Sequence, residues 1–193
     1  MKPDQCRRLM KEMLDEELYR HSLGVAEAAL SLSECYGADT RKAYLAGMIH
    51  DYGKRYTKKE LLRKAHLMGL SLDRITRQEK RLLHAPVGAA LIRSELKIKD
   101  PDIIKAVAYH TTGRSGMTLL EKVIYLADYI EAGREFKGVE LIREIAAKNI
   151  DQALLVAVNQ AIKSVLARDL MLHPRSVVFR NSLLAGAAGQ RIN

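Results

Sequence analysis

The sequence of 193 residues has no tryptophan, two phenylalanines and only 5% aromatic residues. The stacking platforms that a single-strand nucleic-acid binder needs are therefore poorly supplied. Cysteine is scarce too: Cys6 and Cys35 form no C-x-x-C pair and are too few for a disulfide framework. Both read as packing residues, and the scarcity suits a reducing compartment. The amino terminus, MKPDQCRRLMKEMLDEELYR, is charged throughout, and no apolar stretch has the length of a signal peptide core or a membrane span. The expected location is the cytoplasm, with no membrane partner. Strand-like alternation is rare, which argues against a substantial sheet, and there is no internal repeat or long linker.

What is present is a helical composition. Hydrophobic residues make up 48% and charged residues 28%, enough to fill a core and keep a polar surface. The length fits one domain over residues 1–193, with a mildly low-complexity end from about 185 expected to be mobile. Net charge is +9, from 32 Lys plus Arg against 23 Asp plus Glu. Such a balance favours polyanionic partners, but the basic residues are dispersed instead of forming one block. A phosphorylated small molecule therefore fits as well as a nucleic acid, and no stable nucleic-acid partner is expected.

Helical spacing and caps imply an all-α fold of about nine helices. The candidate stretches, some short enough to merge, run near 3–18, 20–36, 39–50, 58–68, 73–83, 86–97, 101–110, 119–132, 138–148, 151–169 and 176–185. Thr57 with Glu60, and Thr118 with Glu121, have the spacing of capping boxes. Asp39 and Asp151 are N-cap candidates, Pro86 and Pro101 suit a first helical turn, and Gly113 to Gly116 reads as a loop.

Four histidines and two aspartates stand out. His50 and Asp51 close a helix whose small residues Ala43, Ala46 and Gly47 share a face with His50, so a second helix can come close. An imidazole and a carboxylate at a helix end can converge on one cation, although the pair alone is more simply a polar helix cap. His21 shares a stripe with Val25, Ala28 and Leu32, and His110 ends a stripe of Ile103, Ala106 and Val107. Singly, each is more simply a hydrogen-bonded core histidine; together they weaken that reading. His66, within Arg63-Lys64-Ala65-His66, reads as solvated surface. Asp128 lies in an almost wholly apolar helix, where a carboxylate must neutralise, pair with an arginine or bind metal.

The ordered set His21, His50-Asp51, His84, His110 and Asp128 resembles the HD-domain metal-dependent phosphohydrolase superfamily. The segments His21 to Val25, His50 to Lys54, His84 to Gly88, Tyr109 to Arg114, Leu120 to Glu131 and His173-Pro174 are similar to the YqeK family in particular. That family comprises bacterial symmetrical diadenosine tetraphosphate hydrolases. Departures from its pattern are Ala132, where many relatives carry proline, and the stretch beyond Asn181.

The resemblance implies an all-α HD bundle and a dinuclear centre of two divalent cations, most readily iron, with manganese or another transition metal also suited to mixed imidazole and carboxylate donors. It implies His21, His50, Asp51, His84, His110 and Asp128 as ligands. Asp51 would bridge; His21, His50 and Asp128 would complete one metal, and His84 and His110 the other. Water so activated would cut diadenosine tetraphosphate, or a related dinucleoside polyphosphate, into two ADP. Asp51 and Lys54 are the catalytic candidates, with Lys54 three residues on and placed to neutralise the attacked phosphate unless it is an ordinary surface lysine. The nucleotide-contacting set is His21, Gly24, Lys54, His110, Thr111, Thr112, Asp128, Arg134, His173, Pro174, Arg175 and Ser176. For the last four, the free amides of a following helix offer an anion site, with simple capping the competing reading. Two other readings stand: an HD phosphohydrolase acting on another nucleotide or phosphate ester, and a non-catalytic basic RNA- or ribosome-binding protein. Helical patterning leaves a homodimer open, because it does not separate core from interface.

Overall fold

A computed structural model describes residues 1–189, and these are helical without a strand among them. There are eleven α-helices, against about nine expected: α1 Pro3–Met13, α2 Glu16–Tyr36, α3 Thr40–Ile49, α4 Lys58–Leu67, α5 Arg74–Gln78, α6 Lys80–Ser94, α7 Pro101–Tyr109, α8 Leu119–Ile130, α9 Val139–Ala146, α10 Ile150–Ala167 and α11 Pro174–Gly189. A 3₁₀ turn, Tyr52–Arg55, follows α3.

Local chemistry explains most of the boundaries. Both capping boxes form, at Thr57 with Glu60 and Thr118 with Glu121. Asp39 accepts from the Lys42 amide at the start of α3, and Pro101 opens α7. The expected first helix of 3–18 is instead broken at Leu14, because Asp15 accepts from the Leu18 amide and starts α2. Asp151 is not a cap: Asn149 accepts from the Gln152 amide, and Asp151 sits in the first turn of α10, paired with Lys122 at 2.6 Å.

Pro86 overturns another expected boundary. It lies inside α6 instead of opening a helix, so the expected break near 84–85 is absent. The ring leaves the Leu82 carbonyl without its helical donor. Burial of Leu83, Ala85, Val87, Leu91 and Ile92 along the same helix outweighs that loss. The consequence is that His84 projects from a continuous helix. At the carboxyl end, α11 continues through 189, past the point where mobility was expected; residues 190–193 lie outside the described residues.

The helices enclose one apolar core in which Val25, Ala46, Ile49, Leu83, Val107 and Ile124 are fully buried. Within it α2 packs on α3 and α8, and α7 packs on α3, α6 and α8. The 3₁₀ turn lies against α6, while α10 backs α8 and carries α9 and α11. The small-residue face of α3 works as its sequence implies: Ala43, Ala46 and Gly47 are buried, and α2 closes directly over them. Cys6 is a packing residue, but Cys35 is exposed on α2, near the Ala147 carbonyl at 4.0 Å, which corrects its reading as a packing residue.

A Cβ added at Gly47 would stand 2.6 Å from Ala26 Cα and 2.9 Å from its nitrogen. Backbone cannot rotate aside as a side chain can. Gly47→Ala therefore costs about 2 kcal/mol net, overpacking of roughly 3 kcal/mol outweighing a helix-propensity gain of about 1. Calorimetry is expected to record a melting temperature lower by about 4–8 °C.

Candidate metal centre

Five elements deliver the six side chains to one place. His21 comes from the second turn of α2, His50 is the C-cap of α3 with Asp51 next to it, His84 comes from α6, His110 is the C-cap of α7, and Asp128 comes from the last turn of α8. Asp51 is the hub and is fully buried. Its Oδ2 lies 3.3 Å from His21 Nε2 and 3.1 Å from His50 Nε2, while its Oδ1 lies 3.0 Å from His84 Nε2 and 3.4 Å from His110 Nε2. One carboxylate thus faces two separate pairs of imidazoles. Asp128 Oδ1 completes the first group, 3.2 Å from His21 Nε2 and 3.9 Å from His50 Nε2.

Hydrogen bonds behind the rings fix which nitrogen faces inward with a lone pair. His50 Nδ1 is 2.7 Å from the Gly47 carbonyl, and His110 Nδ1 is 2.8 Å from the Val107 carbonyl. A carbonyl only accepts, so Nδ1 carries the proton in both rings and Nε2 is left unprotonated in the neutral form. His84 Nε2 and His110 Nε2 approach to 3.1 Å. His21 Nε2, His50 Nε2 and Asp51 Oδ1 are buried without a hydrogen-bond partner among the described residues. Inward-facing lone pairs and orphaned buried acceptors are a donor set for cations, and the groupings His21-His50-Asp51, His50-His110-Asp128 and Asp51-His84-His110 each bring three ligand atoms within 4.8 Å.

Charge is distributed to match. Burial alone would raise the Asp51 carboxyl, but the His50, His110 and His21 rings overcome it and hold it well below the usual carboxylate range. Asp128 is held down in the same way, with His21 and His50 outweighing burial and Arg134 adding to them. Burial would also lower His21, yet Asp128 and Asp51 push it up to about 9. His84, more deeply enclosed and beside His110 and Lys54, is pushed down to about 4 by burial despite Asp51.

Two cationic side chains close on the carboxylates. Lys54 Nζ, on the 3₁₀ turn, is 2.5 Å from Asp51 Oδ2. Arg134 Nη2 donates to Asp128 Oδ1 at 2.5 Å and its Nε to the Asp128 carbonyl at 2.8 Å. Asp128 thus has both an arginine partner and a place in the histidine cluster, two arrangements that its apolar helix left as alternatives.

His84, His110 and Asp128 form the floor of a cavity of about 690 Å³, with His50 and Asp51 fully buried behind them. Lys54, His84, His110, Thr111, Asp128, Arg134, His173 and Ser176 line it. His21, Gly24, Thr112, Pro174 and Arg175 of the expected nucleotide-contacting set do not. Gly24 packs instead against the Glu131 carboxylate, and Thr112 Oγ1 donates to the Gly113 carbonyl. His173 has both ring nitrogens engaged: Nδ1 accepts from the Arg175 amide at 3.1 Å, so Nε2 donates to Asp73 at 3.1 Å. It lines the cavity and ties the start of α11 to α5. Residue-by-residue reading missed Arg81, Lys137 and Lys163 on the wall, because nothing sets them apart from other dispersed basic residues. It also missed a T-shaped Tyr129–Phe136 pair with ring centroids 5.1 Å apart, and both rings line the cavity.

A family model described as HD domain matches residues 18–133, a span that contains all six clustered side chains. The chain belongs to the HD-domain family, in its YqeK branch. This HD protein is 37% identical over 190 residues to the symmetrical bis(5'-nucleosyl)-tetraphosphatase of Bacillus subtilis, an alignment covering 97% of this chain and all of the relative. It is 42% identical over 176 residues to the protein of the same name from Halalkalibacterium halodurans, covering 91% of this chain and 94% of that one. A crystal structure from Clostridium acetobutylicum, described as a "predicted HD superfamily hydrolase involved in NAD metabolism", superposes with a TM-score of 0.90 at 38% identity, covering 94% of this chain and 96% of that chain.

Metal ligation requires unprotonated imidazoles. His21 holds its proton up to about 9 when carboxylates are its only partners, so cation binding must expel it, whereas His84 is already neutral above about 4. At pH 7.5, pH-stat titration with manganese(II) is expected to record release of about one proton per protein, and affinity is expected to fall as pH falls from 9.

Proposed function

We propose that this HD protein hydrolyses diadenosine tetraphosphate symmetrically, giving two ADP. The observation that carries the reading is the division of one buried carboxylate, Asp51, between two imidazole groups, one of which, His84 with His110, lines a basic cavity. The names of the Bacillus subtilis and Halalkalibacterium halodurans relatives, symmetrical bis(5'-nucleosyl)-tetraphosphatases, support the substrate.

In this reading His21, His50, Asp51 and Asp128 hold one divalent cation, and Asp51, His84 and His110 hold a second. Iron fits the mixed nitrogen and oxygen donors, as manganese also does. When bound, the cations supply Lewis acidity and lower the pKa of water. The chain's own residues do the rest. His50 and His110 keep their Nε2 lone pairs inward through the backbone carbonyls behind them. Lys54, 39% exposed on its side chain and at the cavity edge, is free to turn from Asp51 toward a phosphate and offset charge that builds on its nonbridging oxygens. Arg134, oriented by two bonds to Asp128, presents its remaining donors to the cavity, where a planar fork suits phosphate. Thr111 and Ser176 stand on the same wall and suit ribose or phosphate oxygens. No described helix is long and apolar enough to cross a membrane, and a nucleotide substrate makes the cytoplasm the natural compartment.

Incubating iron- or manganese-loaded protein with diadenosine tetraphosphate should yield ADP as the sole nucleotide product by anion-exchange chromatography. AMP together with ATP would overturn the symmetrical cut, and turnover of a mononucleotide or another phosphate ester in its place would overturn the substrate. His50→Ala and Asp51→Ala are each expected to lose at least about 100-fold in kcat with the fold retained by circular dichroism. Lys54→Met is expected to lower kcat/KM by roughly 100-fold while leaving metal content unchanged by elemental analysis.

A further inference from the structure

His21 differs from the other oriented imidazoles in where it sits. His50 and His110 cap their helices, so the carbonyls three residues back lie in a last helical turn, where no amide of the same helix claims them. His21 is inside α2, where the carbonyls of the preceding turn are already committed to the helix. Its Nδ1 needs an acceptor from elsewhere in the fold. Glu131, the C-cap of α8, supplies it: Oε1 lies 3.2 Å from His21 Nδ1.

The Glu131 carboxylate is itself held in place. The residue is only 6% exposed, and Oε2 accepts from the Gly133 amide at 2.6 Å. Its backbone carbonyl accepts from Arg143 Nη2 at 2.7 Å. Two glycines make room for it: a Cβ at Gly24 would come within 2.7 Å of Oε2, and one at Gly133 within 3.1 Å. Arg134 Nε stands farther off, 3.7 Å from Oε1. A buried carboxylate with this many restraints is costly to keep unless its one free oxygen has a task. Glu131 also lies three residues beyond Asp128, so α8 and its cap place one carboxylate before the His21 ring and one behind it.

We infer that Glu131 is the positioning residue for His21: it accepts the Nδ1–H hydrogen bond, fixes the ring between its own carboxylate and that of Asp128, and leaves Nε2 as a lone-pair donor toward the cation site. The inference rests on His21 being a metal ligand. Gln at 131 keeps an acceptor oxygen and loses the charge; Ala loses both.

The test is manganese(II) affinity, read from the electron paramagnetic resonance signal of the free ion, for Glu131→Gln, Glu131→Ala, His21→Ala and the double variants. Loss of an orienting partner behind a metal-bound histidine typically costs about 10–100-fold in metal affinity. Glu131→Ala is expected to weaken binding by about that factor, Glu131→Gln by less, and neither to weaken it further once His21 is alanine. An equal loss in both backgrounds would mean that Glu131 only braces the fold and would overturn the inference. So would wild-type affinity in both Glu131 variants while His21→Ala is weakened. Unchanged affinity in His21→Ala itself would instead remove the ligand assignment beneath it. Should Glu131→Ala fail to fold, the Glu131→Gln pair carries the same comparison.

Discussion

A single carboxylate, that of Asp51, sets the terms for the rest of this molecule. It has no exposure to water, and an anion so placed is tolerated only among compensating charges and donors. Four imidazoles and one ammonium group surround it, brought by α2, α3, α6, α7 and the turn after α3. The bundle can be understood as the packing that lets those elements approach one point. The close contact of α2 with α3 through Gly47, the unbroken run of α6 through Pro86 and the ending of α3 and α7 at histidines all serve that convergence.

The chain divides its labour around this point. The part spanning α2 to α8 carries the ligand-type side chains, whereas α10 and the start of α11 build much of the opposite wall of the cavity. That wall is mixed in character, with Lys163 and His173 beside Val158 and Ile162. A cavity with acid and imidazole at its floor and basic and apolar groups above suits a ligand that is both highly anionic and aromatic. The His173–Asp73 bond joins this wall to α5, so the shape of the cavity depends on contacts far from its floor.

How much of this was legible in the sequence varies by residue for physical reasons. His50-Asp51, His21, His110 and Asp128 could be read because each interrupts an apolar helical pattern, and a polar group on a buried face requires a partner. The capping boxes at Thr57 and Thr118 were legible because their chemistry is contained within four residues. Pro86 misled because local preference favours a helix start, while tertiary burial decides the outcome. Asp15 escaped notice as a cap because the segment around it is polar enough to continue a helix on pattern alone, and Asn149 because Asp151, two residues on, is an equally suitable cap type. The expectation that Gly24 touches nucleotide also came from pattern. Its position against Glu131 depends on two helices distant in sequence, and no single segment encodes that.

The bonds from His50 and His110 to the carbonyls of Gly47 and Val107 have a thermodynamic consequence. Each ring is clamped to the final turn of its own helix, so an ion gripping Nε2 also holds that turn wound. Occupancy of the site and integrity of the helix ends become a single linked equilibrium. Chelation should then loosen the backbone first around 47–51 and 107–111, well before global unfolding, and backbone amides there should exchange hydrogen at a rate that tracks free metal concentration.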